Sequence, residues 1–253
     1  MLQRRFELSG RNVVSMTTAP DLATIGMLLG DRVRAAMLET LLDGEESSAA
    51  SLAEASGASA SLASAHLRRL LDGGFVRVRT DGRRRMYRLA SPQVAEFLEA
   101  GLLLTPPSGP VTSLRQATRR DQLRRARLCY DHLAGVLGVA VTDRLVELGA
   151  LSAAADGLVL TTVGDGYLAG LGVGVDSLRA SRRPLGRVCS DWTERRPHLA
   201  GGAGAAVASA LLERRWVLRR PGNRGLDLTS DGATGLHDWI GLRVDALEGW
   251  RAA

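Results

Sequence analysis

Four side chains in the second half of this 253-residue chain have types that could bind a metal or attack a substrate: Cys129, His132, Cys189 and His198. Cys129 and His132 are three apart, so both fall on one face if CYDHLAG is helical. Cys189 and His198, with Asp191 between them, recur in a similar setting. Two thiols and two imidazoles facing each other would suit zinc or another borderline-soft divalent ion. The same atoms admit other readings. Free cysteine is commonly plain packing, the two thiols could pair under oxidation, and a cysteine beside a histidine could act as nucleophile and base. An organic effector near Trp192, Trp216 or Trp239 is a further alternative. No phosphate loop, nucleophile elbow or paired carboxylates accompany them, and GLGVGV (170–175) lacks the strand and spacing of a dinucleotide site, so an enzyme is not expected.

A second set of residues could meet polyanions. All 33 basic residues are arginine, and net charge is +6. Arginine binds phosphate and guanine through planar, bidentate bonds. A GC-rich genome would also favour arginine, but it would not place eight of them (68, 69, 77, 79, 83, 84, 85, 88) against only Asp72 and Asp81. A further run, Arg115 to Arg127, reads either as a helix along DNA backbone or, slightly better, as a solvated connector.

The elements that must hold these residues follow from periodicity and punctuation. Residues 1–18 are polar and unpatterned, a flexible tail. Asp21–Leu29 fits a helix, and Asp31 caps a second that stops at Gly44 and buries Val33, Met37, Leu38 and Leu41. SLAEASG and SASLASAHLRRLLDGG make two short helices about Gly57, with Ser59 as cap and Leu62, Leu67 and Leu70 as the inner side. FVRVRTDGRRRMYRLA alternates on each side of Asp81-Gly82, a hairpin or wing. SPQVAEFLEAGLLL restarts as a helix with an apolar stripe at Val94, Phe97, Leu98 and Leu102, and TPPSGP opens a linker over 105–112.

Beyond the linker, 113–253 repeats itself. RxCxD, HLAGxxGxA and GLxLTxxG occur in both 127–175 and 187–245, the second copy carrying six extra residues, WTERRP, between Asp191 and His198. The LAxxxG pattern also echoes Leu52-Ala53 and Gly57, so the two copies are expected to be degenerate winged-helix folds. The fold class is then mostly α with small β-wings, α+β.

The segment 31–104 resembles the ArsR/SmtB family of bacterial repressors, on DRVRAAMLETLLDG, LAEASGAS, SLASAHLRRLLDGGFV and GRRRMYRL. The resemblance implies a winged helix-turn-helix over 19–104 and a homodimer built from its first and last helices. It also implies an inverted-repeat operator in double-stranded DNA. Ser59, Ser61, Ser64, His66 and Arg68 would face base edges, with Arg83, Arg84 and Arg85 on phosphates or in the minor groove. The family's usual metal sites are absent, since SLAEASG has no cysteine and SPQVAEFLEAGLLL no histidine. The expectation is a dimeric repressor whose 113–253 half senses a ligand, metal or redox state or buttresses the dimer. The alternative is a non-specific architectural DNA-binding protein. No window reaches the roughly 18–20 apolar residues of a membrane span, and the N-terminus lacks a signal-type apolar core, so a cytoplasmic protein is expected.

Overall fold

The computed structural model describes residues 22–42, 45–104, 114–154, 157–221, 223–247 and 250. The expected tail, the linker 105–112, Asp21 and Gly44 lie outside the described residues.

The N-terminal unit runs α1 (Leu22–Leu29), α2 (Arg32–Leu41), β1 (Ser47–Ser48), α3 (Ala49–Ser56), α4 (Ala60–Asp72), β2 (Val76–Asp81), β3 (Arg84–Leu89) and α5 (Pro92–Leu104). Asp31 starts α2 by accepting from the amides of Val33 and Arg34. Gly57 ends α3 at φ 67°, a left-handed cap that turns the chain into α4. Ser59 caps α4 through the amide of Leu62. The wing pairs β2 with β3 in antiparallel register, and β1 adds a short third strand beside β3. Asp81 pairs with Arg84, so the turn is Gly82-Arg83, one residue later than the expected Asp81-Gly82. Met37, Leu38, Leu41, Leu52, Leu67, Leu70, Tyr87 and Leu89 fill one core.

The C-terminal unit begins with α6 (Leu114–Arg125). The first copy follows as β4 (Arg127–Cys129), β5 (His132–Ala134), α7 (Gly135–Glu147), β6 (Leu151–Ala154), β7 (Gly157–Leu160), α8 (Thr162–Gly170) and α9 (Val175–Ala180). The second is β8 (Arg187–Ser190), β9 (Pro197–Ala200), α10 (Gly201–Glu213), β10 (Val217–Arg219), β11 (Leu226–Leu228) and α11 (Ser230–Ile240). Each copy is thus hairpin, long helix, hairpin, helix. The later helix–hairpin–helix part matches the α4–wing–α5 order. The front does not: Leu133-Ala134 and Leu199-Ala200 lie on strands, whereas Leu52-Ala53 lies on α3. A hairpin therefore replaces the first helix of a helix-turn-helix.

The glycines of HLAGxxG explain the replacement. Gly135 (φ 76°) and Gly201 (φ 80°) turn strand sharply into helix. At Gly138 and Gly204 a Cβ would come 2.5 Å from the carbonyl oxygens of Leu133 and Leu199, so only glycine lets helix and strand approach. The copies interlock: α7 packs on β9 and α10 on β5, and Thr142 Oγ1 on α7 accepts from the amide of Leu199 on β9. A single apolar core, from Ala126 to Val244, runs through both copies.

Candidate nucleic-acid interface and Cys/His cluster

The helix α4 buries Ala63, His66, Leu67 and Leu70 and exposes Ser59, Ser61, Ser64, Ala65, Arg68 and Arg69. Two expectations are corrected here. Leu62, expected inside, is 45% exposed, because the buried stripe runs through Ala63 instead. His66, expected at the DNA, is buried: its Nδ1 lies 3.1 Å from Arg34 Nη1 and 3.5 Å from an Asp31 oxygen. It ties α4 to α2. Asp31 already caps α2, and the Arg34 amide it accepts from holds its carboxyl below the ordinary value. Ser59 spends its hydroxyl on the helix cap, and Ser64 Oγ donates back to the Ala60 carbonyl. On the wing, Arg83, Arg84 and Arg85 are all exposed. Arg85 stands 5.8 Å from the centre of the Tyr87 ring. Arg79, by contrast, is held by Glu46 at 2.6 Å.

The C-terminal end of the Arg115–Arg127 run is committed to structure, whereas Arg119 and Arg120 are exposed. Arg124 pairs with Glu194, Arg125 with Asp121, and Arg127 is fully buried against Asp191 at 2.9 Å. Arg127 also stacks 4.8 Å from the Trp192 ring.

The structure brings Cys129, His132, Cys189 and His198 together, with ligand atoms all within 4.8 Å of one another. The segment CYDHLAG is not helical, as the spacing suggested, but a hairpin turning at Tyr130-Asp131. Cys129 and His132 are therefore cross-strand partners. Cys189 and His198 pair in the same way on the second hairpin, with WTERR inside its loop and Pro197 paired to Ser190 at its base. The two Sγ atoms are 3.7 Å apart and the imidazole centres 5.1 Å. Three of the four residues are buried and Cys189 is half-buried.

Polar atoms here lack partners. Nε2 of His132 and both ring nitrogens of His198 are buried without a hydrogen bond, a condition that costs about 1–3 kcal/mol per group. Each ring does have a carboxylate on its Nδ1 side: Asp131 at 3.3 Å from His132 and Asp191 at 3.8 Å from His198. These two aspartates are the D of the repeated RxCxD. Burial opposes the charge on Asp131, but His132 and Arg183 outweigh it and bring the carboxyl down to about 2. Burial also opposes Asp191, yet Arg127, Thr193 and the amides of Gly135 and Glu194 hold it well below the carboxylate range. The hydrogen bond to Cys189, with burial, pushes the Cys129 thiol well up.

The cluster opens onto a cleft of about 530 Å³ between α5 and the two hairpins, which Glu96, Glu99, Tyr130, Arg183 and Arg187 help to line. Two residues of α5 anchor here and were not visible as functional in the sequence. Glu96 pairs with Arg187 at 2.5 Å. Glu99 is 1% exposed and bonds Arg224, with its Oε2 left unpartnered. None of the tryptophans lines this cleft; Trp239 Nε1 donates to the Tyr167 carbonyl at 2.9 Å, and Trp216 packs against Gly235.

A helix-turn-helix followed by an arginine-tipped wing defines a winged-helix DNA-binding protein. The chain is 35% identical over 225 residues to the uncharacterized HTH-type transcriptional regulator YdfF of Bacillus subtilis (strain 168), covering 89% of this chain and 99% of that one. The chain belongs to this family of helix-turn-helix transcriptional regulators. No family model matches. Among solved structures, the homodimeric winged helix-turn-helix domain of Mb0332 from Mycobacterium bovis is 31% identical, with a TM-score of 0.31, over 33% of this chain and 76% of that one. The cadmium sensor CMTR of Mycobacterium tuberculosis is 32% identical, with a TM-score of 0.28, over 37% and 99%. No helix among the described residues is long and apolar enough to cross a membrane.

Proposed function

We propose that this regulator is a dimeric, cytoplasmic repressor of ArsR type that binds an inverted-repeat operator and whose C-terminal half is its sensor. The observation that carries the DNA reading is the exposed strip of Ser61, Ser64 and Arg68 on α4, a short step in sequence from the exposed Arg83–Arg85 tip. Small hydroxyls and an arginine can approach base edges in the major groove, while wing arginines meet phosphates. Exposed Leu62 and Ala65 add apolar contacts suited to a thymine methyl. Ser59 contributes by starting the helix at the groove. His66 is no longer among the contacts.

Dimerism is supported by the face of α1, α2 and α5. Phe97, 41% exposed, lines an apolar groove of about 270 Å³ there with Leu29, Leu38, Leu42, Leu98 and Leu102, and Leu22, Met27 and Leu104 on the same helices are exposed too. A second copy is the occupant, because a two-fold pairing of this face places two reading helices on successive half-sites. The sensor reading rests on the cleft between α5 and the Cys/His hairpins, which joins the two halves of the chain. The test is equilibrium binding to the DNA upstream of its own coding region and to scrambled DNA at fixed salt. A preference of about 10³ or more is expected; equal affinity for both would leave only an architectural role.

A further inference from the structure

We infer that Cys129, His132, Cys189 and His198 form one tetrahedral centre for a zinc-type divalent ion, built half from each repeat, and that this ion is the input of the sensor half. The inference rests on the sensor reading above for its role, but on geometry for the site.

The sulfur separation fits an ion between the thiols and not a bond between them. A disulfide needs about 2.05 Å between sulfurs. Two thiolates on one zinc at about 2.3 Å span a tetrahedral edge of about 3.8 Å, and the observed distance is 3.7 Å. Plain packing does not account for the imidazoles. A histidine buried for packing normally has both nitrogens satisfied, whereas Nε2 of both rings here has no partner. The aspartates supply the rest. A metal-bound histidine usually gives its other nitrogen to a carboxylate, which fixes the ring. Asp131 bonds Nδ1 of His132 at 3.3 Å, which leaves Nε2 of that ring for the ion, and Asp191 stands 3.8 Å from Nδ1 of His198, on the same side of its ring though beyond hydrogen-bond reach. The identical cross-strand register of the two hairpins presents one sulfur and one imidazole from each side. Two sulfurs and two nitrogens in a tetrahedral set favour zinc over oxygen-seeking magnesium or calcium. The cleft at half-buried Cys189 gives the ion its way in. On loading, each thiol gives its proton to solvent as its sulfur bonds the ion, and each imidazole binds in its neutral form, releasing any proton it carried.

The α5 helix is tied to both hairpins. Glu96 holds Arg187, two residues before Cys189. Glu99 holds Arg224, whose carbonyl accepts from the amide of Leu128, next to Cys129. A change in hairpin spacing thus reaches the helix proposed to pair with a second copy.

The full-length protein, purified without chelator, is measured for metal by mass spectrometry and then titrated as apoprotein with Zn²⁺ and Co²⁺. One zinc per chain is expected, with the visible absorption of tetrahedral cobalt and its thiolate charge-transfer band. Cys129→Ser and Cys189→Ser should each remove the charge-transfer intensity of one thiolate and weaken zinc binding at least 100-fold. Asp131→Asn leaves all four ligands in place and should weaken binding 10- to 100-fold. Circular dichroism of each variant separates lost ligation from lost fold. Folded apoprotein that takes up neither ion, or a Cys129–Cys189 disulfide with no metal, would overturn the centre. So would full cobalt spectra in both serine variants. DNA affinity with and without one equivalent of zinc forms a separate arm. A change of 10-fold or more supports the input role; an unchanged affinity with zinc bound would uphold the centre and sink the sensor reading.

Discussion

Replacing Arg83, Arg84 and Arg85 with alanine should flatten the salt dependence of DNA binding more than any other change to the chain. All three are exposed, and none takes part in an ion pair among the described residues. Arg79 and Arg88 on the same hairpin are engaged by Glu46, so they are left out of the count. Two wings per dimer offer six guanidinium groups. Each phosphate neutralised contributes about −0.9 to the slope of log K against log salt. The triple variant should therefore lose about 5 from the magnitude of the slope. Between about 50 and 200 mM salt, log salt rises by about 0.6, so the wild type should lose about 10³-fold more of its own affinity than the variant. Fluorescence anisotropy on one duplex at five or six salt concentrations gives both slopes. The thermal midpoint should move little, because all three side chains are exposed and only Arg85 has a neighbour, the Tyr87 ring 5.8 Å from it. A slope change below about 1 would mean that the wing does not touch DNA, and the nucleic-acid interface would have to be sought elsewhere.

Other expectations concern the framework. Asp191→Ala leaves the fully buried Arg127 without its carboxylate and should cost about 3–5 kcal/mol, a fall in melting temperature of roughly 10 °C. Because Asp191 is depressed from its ordinary 3.8 in the folded state, its contribution is complete above that value and fades as pH falls below it. The urea midpoint of the wild type should drop from pH 5 to pH 3 more steeply than that of Asp191→Asn (about a pH unit either side of an ordinary carboxyl). Gly138→Ala and Gly204→Ala put a methyl 2.5 Å from a carbonyl oxygen in equivalent places, so each should cost about 1–3 kcal/mol by chemical denaturation; a marked difference between them would break the equivalence of the copies. Phe97→Glu, at a side chain 41% exposed on α5, should give a folded monomer by sedimentation and weaken operator binding; a stable dimer would move the interface off this face.

The elements that were legible in the sequence are the ones whose signals are local. Gly57, Ser59 and the Asp81-Gly82 step announced the helix-turn-helix and wing, and the core residues Met37, Leu38, Leu67 and Leu70 follow helical period. His66 was misplaced because its neighbours are remote: Asp31 and Arg34 lie some thirty residues earlier, and polarity alone suggested exposure. Leu62 erred the other way, an apolar side chain left outside because the stripe passes through Ala63. The hairpin at CYDHLAG is hidden in the sequence for a local reason. Its turn has no glycine or asparagine, and Tyr130 itself takes the left-handed φ of 61°. One signal could have found the hairpin. WTERRP sits between Asp191 and His198, and an insertion is easily taken up in a hairpin loop but not within a helix. On α5 the apolar stripe drew attention to Phe97 and hid Glu99, whose burial depends on Arg224, 125 residues away.

That pairing bears on how a signal in the C-terminal half could reach DNA. Burial opposes a charge on Glu99, and Arg224 with Arg127 outweighs it, so the carboxylate stays ionised inside the protein. A charge pair this deep cannot be stretched a little at little cost, because either partner left alone is a buried, uncompensated ion. The helix must then follow Arg224 rather than slide past it. Arg224 is in turn hydrogen-bonded through its carbonyl to the strand that carries Cys129. The surface Glu96–Arg187 pair adds direction rather than strength, since it is exposed and screened. Of the two α5 anchors, the buried one should therefore carry the coupling. Loss of Glu96 ought to weaken an effector's influence on DNA affinity only slightly.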